Sequence, residues 1–115
     1  MKLTPGVLQH CYAFLAETEP FNKWNLPDAE DIKFILLGDN GDAHGTVEKW
    51  KDTYKIGAAP GSHQHTASLI VTMAHEMIHL HMMQSKIRNP EGHGRIFKAF
   101  AAEVCAEHGF DLGQF

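Results

Sequence analysis

Cysteine is scarce in this chain: there are two, Cys11 and Cys105, and no CxxC pair. Nothing points to an oxidising compartment, and both fall on apolar faces of expected helices, so they read as buried free thiols. Positive charge is also in short supply. Ten Lys and Arg stand against fourteen Asp and Glu, for a net charge of −4, which excludes a global basic field that would draw the chain onto nucleic acid or an acidic membrane. Long apolar runs are lacking, none approaching the ~20 residues needed to cross a bilayer. The opening "MKLTPGVLQH" holds one Lys and no apolar segment of signal-peptide length. A cytoplasmic protein with no membrane contact is the expectation. At 115 residues the chain is long enough for one modest core and too short for two, so residues 1–115 are expected to form a single domain.

Repeats, low-complexity tracts and internal linkers are absent as well. "LTPGVLQHCYAFLAETEP" has Thr4 as a candidate N-cap and Pro5 at the first helical position. Val7, Leu8, Cys11, Tyr12, Phe14 and Leu15 recur at helical spacing until Pro20 stops the pattern. An irregular connector, "FNKWNLPDAED", follows. Three short β-rich runs come next: "DIKFILLG", "AHGTVEKW" and "DTYKIGA", the last two joined at Lys51-Asp52. "GDNGD", after the first run, is a turn signature; it lacks the acidic ladder and terminal Glu of a calcium loop. The strongest helix is "TASLIVTMAHEMIHLHMMQSKI", with Thr66 as its cap and Leu69, Ile70, Met73, Met77 and Ile78 on an apolar face. "RNPEGHG" breaks it. A last helix, "GRIFKAFAAEVCAEHG", turns Ile96, Phe97, Phe100, Ala101, Val104 and Cys105 inward and ends at Gly109. The class expected is α+β: an N-terminal helix, a three-stranded sheet, the His-bearing helix and a C-terminal helix.

What the chain does have is histidine, nine in all. Within the strongest helix, "AHEMIHLHMMQ" contains His-Glu-x-x-His. With nine His and eight Glu, chance alone would place that pattern in about 0.05 of such chains, so the motif stands or falls on its structural context. Here the context fits: the pattern lies inside a helix with apolar flanks that would bury it. Residues four apart on a helix stack with Cβ atoms about 5–6 Å apart, so His75 and His79 can both direct an imidazole nitrogen at one ion. Glu76, the next residue round the helix, reaches beside such an ion, where a base must sit to take a proton from an activated water.

A catalytic zinc needs a third protein ligand and an open fourth position. The metzincin continuation fails, because Met82 and Ser85 stand where Gly and His are required. Glu103 and His93 are the remaining candidates. His93 is the better of the two, since the glycines of "EGHG" let the backbone bend back toward the first His pair, with Phe97 and Phe100 to pack behind it.

"HEMIH", thirteen intervening residues, and then "HG" followed by "IF" resemble the SprT-like (Spartan-type) metalloprotease family. The "AHGTVE" run resembles the strand that precedes the active helix in that family. The resemblance spans roughly residues 30–108 and is strongest over 68–100. It implies a zincin-like fold, a Zn²⁺ cofactor held by His75, His79 and His93, Glu76 as general base or acid, and a zinc metalloendopeptidase acting on protein or peptide substrates. A Cys-rich zinc ribbon and a basic patch, found in many members, are both missing here. A minimal form of the domain is therefore expected, and direct nucleic-acid binding would rest on the resemblance without support from charge. The rival expectation is a non-catalytic, zinc-stabilised protein-interaction domain, which would have no use for Glu76.

The other polar residues are less eloquent. His81, two residues after His79, should point away from the ligand face. His63 and His65 read as loop residues, and His10 and His108 as helix-surface residues. Tyr54, His44 and Arg95 are candidate donors to a developing oxyanion, and the sequence does not choose among them. Met73, Met77, Met82 and Met83 read as core filler.

Overall fold

The computed structural model describes residues 2–38, 44–62 and 66–115. The "GDNGD" turn beyond Gly38, and both His63 and His65, lie outside the described residues.

Helix α1 spans Pro5–Ala16. It begins as expected, with extended Thr4 accepting a 3.1 Å bond from the Val7 amide through its hydroxyl and Pro5 at the first helical position. It ends four residues before Pro20, where the Thr18 hydroxyl donates to the Leu15 carbonyl at 2.6 Å. Leu8, Tyr12 and Leu15 are buried, but Phe14, expected inside, is 58% exposed. The connector folds into two short 3₁₀ turns, Phe21–Lys23 and Ala29–Asp31. It is tied to α1 by the Tyr12 hydroxyl, which donates to the Pro27 carbonyl at 2.5 Å.

Strands β1 (Ile32–Leu36), β2 (Gly45–Trp50) and β3 (Thr53–Ala58) form one sheet in the order β1-β3-β2. The central strand β3 runs parallel to β1 and antiparallel to β2, with Ile56 opposite Phe34 on one side and Val47 on the other. Lys51, at φ 55°, makes the two-residue reversal from β2 to β3. The alternation places Ile32, Val47, Ile56 and Ala58 in the core while Lys33 and Glu48 face water. Strand β2 is an edge of this sheet.

Helix α2 (Thr66–Gln84) packs its apolar side on β2, α1 and the last helix α3 (Arg95–His108). Leu69, Met73, Met77, Ile78, Leu80 and Met82 are all buried, so these three methionines are core residues, and Met83 packs partly buried against them. Thr66 is the first residue of the helix. Helix α3 stops at Gly109, whose φ of 76° is the left-handed cap that only glycine adopts cheaply. Phe97, Ala101, Val104 and Cys105 face inward, whereas Ile96 is 48% exposed. Asp111 then caps a final 3₁₀ turn, Leu112–Gln114, which the sequence had not announced. Both cysteines are free. Among the described residues no helix is long and apolar enough to cross a membrane. The observed class is α+β, with three α-helices and a three-stranded sheet among the described residues.

Candidate metal centre

His75 and His79 lie one turn apart on α2, and His93 comes from the irregular segment between α2 and α3. Their Nε2 atoms converge: His75 to His93 is 3.0 Å, His79 to His93 is 3.1 Å, and His75 to His79 is 3.2 Å. Three neutral imidazoles cannot satisfy one another in such a triangle, because each has a single N–H and all three point the same nitrogen inward. A tetrahedral ion with ligand nitrogens at ~2.0–2.1 Å would hold those atoms roughly 3.3 Å apart, so the cluster is sized for one metal ion. Among the described residues these three are the group able to hold such an ion.

Each imidazole is braced. His79 Nδ1 lies 2.8 Å from the Pro90 carbonyl oxygen. A carbonyl only accepts, so Nδ1 carries the proton and Nε2 presents its lone pair. Phe97 is 0% exposed and lies beneath all three rings: stacked on His79 at 4.6 Å, edge-on to His93 at 4.6 Å and tilted against His75 at 5.0 Å. Phe115, from beyond the last turn, stacks on His75 at 5.7 Å. Phe100, expected behind His93, instead packs edge-on against Trp24 and His81.

Electrostatics favour neutral imidazoles. Desolvation, reinforced by the other two histidines, lowers His75 to about 4. Desolvation also lowers His79, against the opposing pull of its bond to Pro90. Glu76 is only 8% exposed, and burial pushes its carboxyl up to about 7. A carboxyl that can gain and lose a proton near neutral pH is suited to general acid–base work.

The three histidines and Glu76 share a cleft of about 470 Å³ whose opposite wall is the edge strand, from Gly45 to Glu48, with Leu37 and Glu91 at its margins. A smaller cavity of about 220 Å³ adjoins it, lined by His44, Thr72 and Gln114 together with His75 and Glu76. Of the three candidate oxyanion donors, His44 therefore borders the site. Tyr54 opens onto a separate groove with Lys49 and Lys86, and Arg95 is exposed and lines neither cavity. Glu103 is exposed on α3 and outside the histidine group. His81 points away from the ligands and stacks on Trp24 at 4.3 Å and 8°. His108 Nε2 is 3.0 Å from the Thr18 hydroxyl. Gly45, Gln114, Phe115 and the Pro90 carbonyl escaped the sequence reading. The glycine at the head of a β-rich run was the one visible signal among them.

The class is thus an α+β domain built around a three-histidine site able to hold a metal. The SprT-like family model matches residues 34–113. That span is most of the chain, and this chain belongs to the SprT-like family. No curated protein and no solved structure matches it significantly.

Proposed function

We propose that this domain is a zinc-dependent endopeptidase of zincin type. One observation carries the reading: three inward-facing Nε2 atoms and a buried glutamate line one cleft whose far wall is a sheet edge. His75, His79 and His93 would hold the ion, and the all-imidazole donor set fits zinc. Zinc held by three imidazoles would supply a Lewis acid and would lower the pKa of its water toward about 7.

The remaining work falls to the chain's own groups. The Glu76 carboxylate takes a proton from the attacking water as the oxygen adds to the scissile carbonyl. It then gives that proton to the amine nitrogen as the carbon–nitrogen bond breaks, leaving a free acid and a free amine. An extended substrate would add as a further strand on the open edge of β2, its main chain held by Gly45–Glu48 and its scissile bond beside Glu76. Family membership, the ligand triangle and the placing of Glu76 in the same cleft all support this reading.

The test is cleavage of an unstructured protein such as casein by wild type and Glu76→Gln, with zinc measured in both. The expected result is an equimolar zinc content in each and a loss of roughly 10²–10⁴-fold in rate in the variant. Equal zinc with no cleavage by either protein would favour the zinc-stabilised interaction domain.

A further inference from the structure

Gly45 opens β2, opposite Ala58 of the central strand, and lies against the side of α2 that carries Glu76. An ideal Cβ built on its backbone would stand 2.7 Å from Cγ2 of Thr72 and 3.2 Å from both Cγ and Oε2 of Glu76. Carbon atoms rest at about 3.5–4.0 Å, so the first approach is a clash and the other two are too tight. The φ of Gly45 lies outside the left-handed range. What the position requires is therefore space and not an unusual backbone. Thr72 and Glu76 are four residues apart on α2 and stack on one face, so a side chain at 45 would press on both together.

We propose that Gly45 is a positioning residue for the general base: with no side chain there, the edge strand closes on α2 and fixes where the Glu76 carboxylate stands in the cleft. This rests on the reading of Glu76 as the base. A methyl group at 45 has two ways to be accommodated. Either β2 moves away from α2, which opens the gap between the substrate's edge and the base, or the Glu76 side chain swings aside. Both displace the proton acceptor from the attacking water while leaving the three imidazoles, which are braced by Phe97 and Pro90, in place.

The experiment compares zinc-loaded wild type, Gly45→Ala, Thr72→Ser and Gly45→Ala/Thr72→Ser on a quenched-fluorescent peptide that wild type cleaves. Zinc content and melting temperature are read on each. Thr72→Ser deletes the methyl that a new Cβ would meet and keeps the hydroxyl. Gly45→Ala is expected to lose at least about ten-fold in kcat, with KM within about two-fold and zinc still equimolar. The double variant is expected to recover part of that loss and to stay below Thr72→Ser, because the close approach to Glu76 remains. If Gly45→Ala does not fold, the ratio of the double variant to Thr72→Ser gives the same answer, a kcat lower at unchanged zinc supporting the role. Wild-type kcat in Gly45→Ala overturns the inference, as does, where Gly45→Ala does not fold, a double variant with the kcat of Thr72→Ser. If wild type and Glu76→Gln are equally inactive, the peptidase reading itself falls. If wild type cleaves and Gly45→Ala cleaves as well, only the role of Gly45 falls.

Discussion

His79 donates through Nδ1 to the carbonyl oxygen of Pro90 at 2.8 Å. One bond thereby sets the tautomer of an α2 imidazole and pins the segment that delivers His93. Pro90 is three residues before His93, so the imidazole from outside the helix is positioned by one on it. The triangle of Nε2 atoms is consequently a property of the fold and not of α2 alone.

Replacing a ligand should separate the metal from the fold. His93→Ala is expected to lose zinc after dialysis while retaining native helix content, whereas Glu103→Gln should keep it. Elemental analysis and far-UV circular dichroism on the two variants and wild type settle the point. Zinc retained by His93→Ala would place the third ligand elsewhere.

Phe97 is the structural floor of the site. Phe97→Ala removes a fully buried ring that touches all three imidazoles and should cost about 3–5 kcal/mol by urea denaturation. Its affinity for zinc should also fall, by roughly 10–100-fold, because the rings lose their support. Unchanged affinity in a destabilised protein would show that Pro90 and the α2 backbone suffice to aim the ligands.

Burial moves His75 and Glu76 of the metal-free protein in opposite directions, with His79 lowered alongside His75. Burial lowers His75 to about 4, so its contribution to stability is present above its ordinary value near 6.5 and is lost as pH falls toward 4. Burial raises Glu76 to about 7, so its contribution is present below its ordinary value near 4.3 and is lost as pH rises through 7. Glu76→Gln removes only the second. The metal-free variant should therefore gain stability over wild type as pH rises from about 4.5 to 7, a difference readable as diverging melting temperatures. Parallel melting curves across that window would mean that Glu76 is not held protonated by burial.

The open edge of β2 is testable through its main chain. Ala59 donates to the His44 carbonyl, so the antiparallel register turns the N–H groups of Thr46 and Glu48 toward β3 and that of Val47 outward, in the strand that lines the cleft. Val47→Pro removes that outward N–H and keeps an apolar side chain at a buried position, so cleavage should be lost with zinc and helix content intact. Full activity with the fold preserved would remove strand addition from the mechanism.

Much of the scaffold was legible because local chemistry dictated it. Thr4 and Pro5 start a helix by satisfying or omitting orphan amides, Gly109 ends one by adopting a left-handed turn, and Lys51-Asp52 reverses the chain between two alternating runs. The pairing of His75 with His79 was equally readable, since helical periodicity alone puts residues four apart on one face. Errors fell at helix margins: Phe14 and Ile96 fit an apolar stripe by spacing, yet both are exposed, with no element among the described residues covering them.

What only the tertiary structure decided is everything that depends on two distant segments meeting. Periodicity says nothing of where an irregular segment goes, so the return of His93 to α2, and the rejection of Glu103, required the bond to Pro90 and the floor of Phe97. The same holds for which of Tyr54, His44 and Arg95 borders the histidine cluster, since all three can donate a hydrogen bond and only their places separate them. It holds as well for Gly45, whose meaning is the distance between a strand and a helix. Sequence specified which groups could hold a metal and move a proton; packing determined which of them share a cleft, because close approach is a property of facing surfaces and not of neighbours along the chain.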